Sequence, residues 1–445
     1  MTPGDGEATS WGRVSRAFHR SIAEPSFRDE ADQLLRSAKP AIGHGLGRSY
    51  GDVGLNSGGT LIRTARLDRV IAADWSTGVF RAEAGMSLDA LLQLSVPRGW
   101  FVPVTPGTKF VTLGGAVAND VHGKNHEGAG TFGCHVRALG LLRSDGAEHE
   151  LGPDRGDPPL WAATIGGLGL TGLILWVELQ LTPIRSAFFD AEVLRLKGLD
   201  DFFRASEESR DWPYTVAWVD CLAKGAGLGR GLYTRGRFSD EGGLLLHKQK
   251  RALKVPLDAP AALLSSPTVR LFNLAYGGRP GVEGSRRIHY DPFLYPLDGI
   301  HDWNRLYGRP GFFQHQSVIP MAQAPDALRK LLELTSSRNQ GSFLVVLKLF
   351  GAKKSPGILS FPTEGATFAL DLPNRGEPTR KLLDAMTDVV MEAGGRLYPA
   401  KDATMSAETF QAGYPRWREV EAQRDSNFTS DFWRRVTREA ALEIP

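Results

Sequence analysis

The sequence predicts an α+β protein of two domains, and three features of the chain carry that expectation. Short β-type runs alternate with a helical segment across residues 55–102. Beyond Pro183 the pattern changes to strand-like runs separated by amphipathic helices, which reads as an antiparallel sheet with helices on one face. At 445 residues, 42% hydrophobic and 23% charged, the chain is long enough to bury two cores. The expected divisions are residues 1–186, residues 187–395, and a segment 396–445 that returns to the first domain.

Taken in order, residues 40–43 read as a short strand, as do 59–63 and 78–84. Ser87 before LDALLQLSV is an N-cap, so a helix is expected to start there and run to residue 96. Residues 136–142 form a strand, followed by a turn at Ser144, Asp145 and Gly146 and another short strand. In the second domain strands are expected at 214–219, 313–319, 343–350 and 367–372, with helices at 324–335 and 379–393. Between Arg235 and Tyr290 the stretches GRFSDEGG, HKQKRALK and RPGVEGSRRIHY are polar and basic with little periodicity. They read as solvated loops, and also as loops that cover a substrate and face an anionic membrane surface.

Composition narrows the function. A net charge of +3 is small for the chain's size, and no motif interleaves aromatic with basic residues, so a nucleic-acid partner is not expected. Cys134 and Cys221 are the only cysteines; they provide neither a disulfide framework nor a metal cluster, which fits a reducing cytoplasm. MTPGDGEATSWGRVSR lacks the apolar run of a signal peptide, and no window approaches the length of a membrane span. Any membrane contact is therefore expected to be peripheral, at the inner face.

Two glycine-rich segments carry the chemistry. Residues 103–132, PVTPGTKFVTLGGAVANDVHGKNHEGAGTF, combine Gly107, Thr108, Thr112, Leu113, Gly114, Gly115, Asn119, His122 and Gly123 with few large apolar residues. Glycine removes the side-chain barrier, so exposed N–H groups there can cradle an anion such as a pyrophosphate; the competing reading is a plain surface loop. Residues 45–52, GLGRSYGD, repeat the theme with Gly45, Leu46, Gly47, Arg48, Ser49, Tyr50 and Gly51. Two phosphate-binding segments point to a long ligand with a central diphosphate.

Other motifs sharpen or exclude. GLGLTG at 167–172 matches the dinucleotide fingerprint, but LILWVELQLT behind it, with Ile174, reads as a strand, whereas that fingerprint requires a helix. His122 and His126 stand at a helical metal-ligand spacing, yet the segment is too rich in glycine for a stable helix and no further ligands complete a set, so no metal is expected. Gln314 and Gln316 share one face of a strand and suit hydroxyl recognition. Lys348 interrupts an apolar run, where it needs an anion such as phosphate.

Together with GGLGLTGLILWVELQLTP at 166–183, the two glycine-rich segments resemble the PCMH-type FAD-binding domain of the vanillyl-alcohol-oxidase superfamily. More narrowly they resemble the decaprenylphosphoryl-β-D-ribose 2′-oxidase family, the flavoprotein half of an epimerase that makes the arabinosyl donor of cell walls. FFQHQSVIP (312–320), VVLKLFG (345–351), LSFPTEGATFALDLP (359–373) and GGRLYPAKD (394–402) extend the resemblance through most of the chain. It implies FAD, with His122 at the flavin; Asp371, Tyr398 and Lys401 complete the matching set, Lys401 as the group that takes the hydroxyl proton with His122 and Tyr50 beside it. It also implies a polyprenylphosphoryl-ribose substrate bound by Gln314, Gln316, Lys348, Asp371 and Lys401, and a short-chain nicotinamide-dependent reductase to complete the epimerisation.

The chain departs from related patterns twice. Polyol oxidases of the superfamily attach flavin through the histidine of a G-H-S segment, whereas Gly47, Arg48 and Ser49 stand here, so the link is expected to be non-covalent and Arg48 is expected at the diphosphate. Mycobacterial members carry a cysteine where this chain has Ala369, which implies that the thiol is not needed for turnover. A soluble aldonolactone or polyol oxidase is the alternative enzyme, and a flavin-bearing scaffold or sensor the non-enzyme alternative.

Overall fold

A computed structural model describes residues 6–247 and 253–438. Residues 248–252 of the HKQKRALK stretch lie outside the described residues. The first region holds two main sheets, with the two-stranded pairs Glu7–Thr9 with Arg16–Phe18 and Trp100–Phe101 with Thr182–Pro183 beside them. Ser21–Ala23, Thr60–Arg63 and Ala41–His44 form a three-stranded parallel sheet. Glu148–Leu151, Val136–Leu142, Leu173–Gln180, Val79–Glu83 and Val70–Asp74 form, in that order, a five-stranded antiparallel sheet. Leu173–Gln180 is a strand, as its β-branched and alternating residues require. Ser87 caps the helix Leu88–Ser95, its hydroxyl accepting from the Ala90 N–H.

The second region is one eight-stranded antiparallel sheet, in the order Gly284–His289, Phe188–Leu196, Gly231–Phe238, Tyr214–Val219, Val345–Phe350, Gly365–Pro373, Phe312–Ile319 and Arg396–Leu397. Alternation along a strand sends neighbouring residues to opposite faces. Val345, Leu347, Ala366, Phe368, Leu370 and Leu372 pack with the inner faces of the helices Leu199–Glu207, Ala324–Ser337 and Glu377–Glu392. The intervening residues, Val346, Lys348, Thr367 and Ala369, with Gln314 and Gln316, line a cleft on the other face. Register makes rows of them: Gln316 and Val346 flank Ala369, and Lys348 lies beside Thr367.

The stretch between Arg235 and Tyr290 corrects the expectation of loops, because it contains the end of the strand Gly231–Phe238, the helix Ser266–Gly277 and the strand Gly284–His289. Gly284–His289 is an edge strand whose side chains are mostly exposed, so no hydrophobic alternation marked it. The helix hides for a different reason: its inward positions include Ser266 and Asn273, while leucines face outward.

After Arg396–Leu397 joins the sheet, the chain turns at Pro399–Lys401 and crosses to the first region. The Tyr50 N–H donates to the Ala400 carbonyl at 3.0 Å, and the Ala41 N–H to that of Asn427 at 2.7 Å. Arg435 closes the junction, its guanidinium 2.7 Å from Asp52 and 3.2 Å from Asp402. Removing Arg435 leaves two well-covered carboxylates facing each other. We expect Arg435→Ala to lower unfolding stability by about 2–3 kcal/mol, below the roughly 3–5 of a fully buried pair because the guanidinium keeps some solvent. Urea unfolding checks this; an unchanged midpoint contradicts the role of this junction.

Candidate active site

The loop after the strand Ala41–His44 is built for close approach. Gly47 sits at φ +63°, the left-handed region that favours glycine. Among the described residues, the N–H groups of residues 45–49 donate to no protein acceptor, and all five residues line the cleft. Such a run of free amides is an anion-binding concavity. A side chain on Gly45 would run into the Thr112 hydroxyl, and one on Gly51 into the Asp402 carbonyl oxygen. Arg48 is clamped at the rim, its guanidinium 4.1 Å from the Trp11 ring centre and its Nε donating to the Phe110 carbonyl at 3.2 Å.

The second glycine-rich segment works differently from expectation. Thr112 caps the helix Leu113–Ala118, its hydroxyl accepting from Gly115 N–H at 3.1 Å, while the Leu113 and Gly114 N–H groups donate to the Met86 and Ala84 carbonyls. Those amides are spent inside the protein and cannot cradle a phosphate. Gly114 is small because a Cβ would come within 3.0 Å of the Ala84 Cβ. Leu113 is fully buried and points into the core rather than the cleft. Gly107, Thr108, Thr112, Gly114, Gly115, Asn119, Gly123 and Ile174 do line it, together with Leu168, Gly169 and Gly172 of the GLGLTG turn. Asn119 Oδ1 is buried without a partner in the protein, an acceptor left for a ligand donor.

These features fit FAD. The cleft, about 410 Å³, runs from the free amides of residues 45–49 past Asn119 to the eight-stranded sheet. Ser49, Tyr50, His122 and Tyr398 lie along its length, and Tyr398 is fixed by donating its hydroxyl to the Asn119 carbonyl at 2.9 Å.

At the sheet end, His122 is held from both sides. Lys348 Nζ lies 3.2 Å from its Nδ1 and also donates to the Gly123 carbonyl, and the Gln316 carboxamide lies 3.0 Å from its Nε2. Both neighbours present a nitrogen, Lys348 Nζ and the Gln316 amide nitrogen, and a neutral imidazole accepts at one ring nitrogen only, so its tautomer decides which of the two donates to it. Burial, then the nearby Lys348, His126 and Lys401, holds the His122 pKa well below its ordinary value, so the ring is neutral. His126 does not join it as a ligand: its ring packs on Phe350 at 4.4 Å and neither nitrogen has a partner.

Lys401 Nζ stands 3.8 Å above the centre of the Tyr50 ring. Burial draws Lys401 below the usual lysine range, opposed by the charge of Asp371. Asp371 itself is fully buried and does not reach the cleft wall; burial pushes its carboxyl up, while the Gln314 amide and Tyr307 hydroxyl donate to it. It holds the Gln314 amide from behind the cleft wall. Lys124 is the residue that motif reading passed over. It lies in the cleft wall, its ammonium donating to the Phe293 and Leu294 carbonyls at 2.6 and 3.0 Å, and burial lowers both Lys124 and Lys348 to about 7. Its only sequence signal was a lysine between two histidines in a glycine-rich loop.

Comparison with known proteins agrees with this layout. The FAD binding domain family matches residues 22–152. Over 449 aligned residues, covering 96% of each chain, the protein is 36% identical to decaprenylphosphoryl-beta-D-ribose oxidase of Mycolicibacterium smegmatis. The chain belongs to the decaprenylphosphoryl-ribose oxidase family. Membership makes it an FAD-dependent oxidoreductase of α+β fold, with a PCMH-type flavin domain. An uncharacterized Streptomyces coelicolor protein is 35% identical over 370 residues, 79% of this chain and 100% of that one. D-lactate dehydrogenase of Anaerostipes hadrus is 29% identical over 133 residues, 28% of this chain and 27% of that one.

With Arg48 where a histidine would form a covalent link, acid precipitation of this decaprenylphosphoryl-ribose oxidase family member should release all yellow colour to the supernatant. Colour kept in the pellet contradicts a non-covalent FAD. Gly47→Val should abolish flavin loading, since a branched side chain is strained at positive φ and would crowd the His44 ring, 3.1 Å from the added Cβ. A fully loaded variant contradicts the assignment of this loop.

Proposed function

We propose that the chain oxidises the 2′-hydroxyl of a polyprenylphosphoryl-β-D-ribose to the 2′-keto sugar, the first half of an epimerisation toward the arabinose donor of cell-envelope glycans. One observation carries the choice of an anionic substrate. On the sheet side of the cleft Lys124, Lys348 and Lys401 converge. Among the described residues no carboxylate acts on Lys124 or Lys348, and the one that acts on Lys401, Asp371, is withdrawn behind Gln314, while Asp298 and Asp302 line another part of the cleft. Clustered ammonium groups in a desolvated wall need an anion, and a neutral lactone or polyol supplies none.

The residues divide the work. Lys348 and Lys124 hold the phosphate. Gln314, fixed by Asp371, and Gln316, fixed by His122 and by Thr367 Oγ1 at 3.4 Å, receive the sugar hydroxyls. Lys401, with its amine form made accessible by burial, takes the proton of the 2′-hydroxyl, and the Tyr50 ring sets its position. The Tyr50 hydroxyl, pushed well above its ordinary range by burial, stays protonated. When bound, FAD supplies the hydride acceptor for the carbinol carbon. The keto sugar then requires a nicotinamide-dependent short-chain reductase, and a prenyl-linked substrate requires peripheral membrane contact.

Stopped-flow flavin bleaching with a short-chain prenylphosphoryl-ribose tests the assignment. Lys348→Ala should weaken substrate binding about ten- to a hundredfold. Lys401→Ala should instead lower the rate of flavin reduction at saturating substrate, because its contact tightens in the transition state. Free ribose, xylitol or an aldonolactone reducing the flavin equally well, with Lys348→Ala silent, transfers the case to a polyol oxidase.

The lowered lysines add a pH signature. Lys348 and Lys124 attract phosphate only as ammonium ions, so affinity falls as pH rises through about 7. Substrate Kd should rise on the order of tenfold between about pH 6 and pH 9 in wild type, and less in Lys348→Ala. A flat profile contradicts charge-based phosphate capture.

Ala369 lines the cleft between Gln316 and Val346, at the family's reactive cysteine position. Nitroaromatic inhibitors of the family should bind reversibly here, and Ala369→Cys should restore a covalent adduct after turnover. An adduct on the unmodified chain, seen by mass spectrometry, contradicts this.

A further inference from the structure

The helix Ser266–Gly277 buries one apolar residue, Val269, beside two polar ones and turns its leucines outward. Its inward residues include Ser266, whose hydroxyl donates to the Asn339 carbonyl, and Asn273, 2% exposed, whose amide donates to Asp220 at 2.8 Å. Its outward residues include Leu271 and Leu274, 69% and 56% exposed, beside Arg270. A helix on a water-facing surface places leucine inward and polar residues outward. Leu253, Leu257 and Leu263, on the segment that leads into this helix, are exposed as well. Apart from Leu46 in the cleft wall, every exposed leucine among the described residues falls between positions 245 and 274.

Charge follows the same stretch. From 248 to 287 the sequence holds eight lysines and arginines against two acidic residues, while the whole chain carries only +3. Both acids are neutralised: Asp258 pairs with Arg13 and Arg305, and Glu283 with Arg195. Lys254, Arg270 and Arg279 are exposed among the leucines. Apolar side chains ringed by cations are the composition of a surface that sits on anionic lipid.

The patch also touches the cleft. The strand Leu253–Lys254 pairs in parallel with Ile300–His301, and Ile300, His301 and Asp302 line the cleft. Lys254 Nζ lies 3.7 Å from Asp302, so the exposed patch begins one strand away from the opening. We infer that the outward leucines of residues 253–274, with Lys254, Arg270 and Arg279, dock the protein on an anionic bilayer and present the cleft mouth to the membrane. This rests on the lipid-linked substrate proposed above, whose prenyl tail must remain in the bilayer while its ribose reaches Lys401.

Sedimentation of the FAD-loaded protein with vesicles tests the docking surface. Vesicles of phosphatidylcholine with about 30 mol% phosphatidylglycerol should carry wild type into the pellet, phosphatidylcholine alone should do so weakly, and about 0.5 M salt should weaken binding. The Leu271→Asp/Leu274→Asp variant should lose at least about tenfold in vesicle affinity. It should retain its yellow colour and turn over a short-chain, water-soluble prenylphosphoryl-ribose at the wild-type rate. Should that variant fold poorly, Lys254→Glu/Arg270→Glu should give the same loss. Wild type remaining in the supernatant overturns the proposal and leaves the patch to a protein partner; vesicle binding undiminished in both variants overturns it too. Failure of wild type to oxidise the soluble substrate strikes the substrate reading alone, because vesicle binding is read separately.

Discussion

Two-residue alternation in three adjoining strands is the constraint on which the site depends. Val345 and Leu347, and Ala366 through Leu372 at every second position, commit one face of the sheet to the helices. That commitment leaves Lys348, Thr367, Ala369, Gln314 and Gln316 no alternative but the cleft face. A slip of one residue in any strand would exchange the two sets, so the hydrophobic core fixes the register of the polar groups. The catalytic wall is thus the reverse side of a core, held with the rigidity of close packing.

Neutrality of His122 follows from the same wall. An imidazolium beside Lys348 and Lys401 would add a third cation to a desolvated space. The neutral ring instead lies between the Lys348 nitrogen and the Gln316 amide nitrogen, so one histidine connects two of the polar groups of the cleft face. Asp371 has a corresponding role in the layer beneath, accepting from Gln314 and opposing the effect of burial on Lys401.

Strands and helices with apolar periodicity were legible in the sequence, including the cap at Ser87 and the strand after GLGLTG. Residues 45–51 were legible as a loop of close approach, because Gly45 and Gly51 sit where a Cβ would collide with Thr112 or Asp402. Gly114 and Gly115 line the cleft, yet their amides are engaged inside the protein, a difference that sequence does not display because a glycine demanded by a neighbouring residue and one demanded by a ligand look alike. The depth of Asp371, behind Gln314, was not legible, because it depends on pairing across strands that lie far apart in the chain. Lys124 and the helix Ser266–Gly277 lacked a local signal: one takes its meaning from carbonyls at 293 and 294, and the other places its leucines where an amphipathic pattern would not.

The late crossing of the chain at Pro399–Lys401 also imposes an order of assembly. Residues 45–49 and Lys348 are synthesised before Lys401, and the contacts that seat Lys401 reach back from Ala400 to Tyr50 and from Arg435 to Asp52. Loop closure over such separations is slow compared with local folding. The loop at 45–51 is itself braced by that late segment, through Ala41 on Asn427, Tyr50 on Ala400 and Gly51 on Asp402. Both walls of the cleft are therefore completed in one step, when the last part of the chain docks.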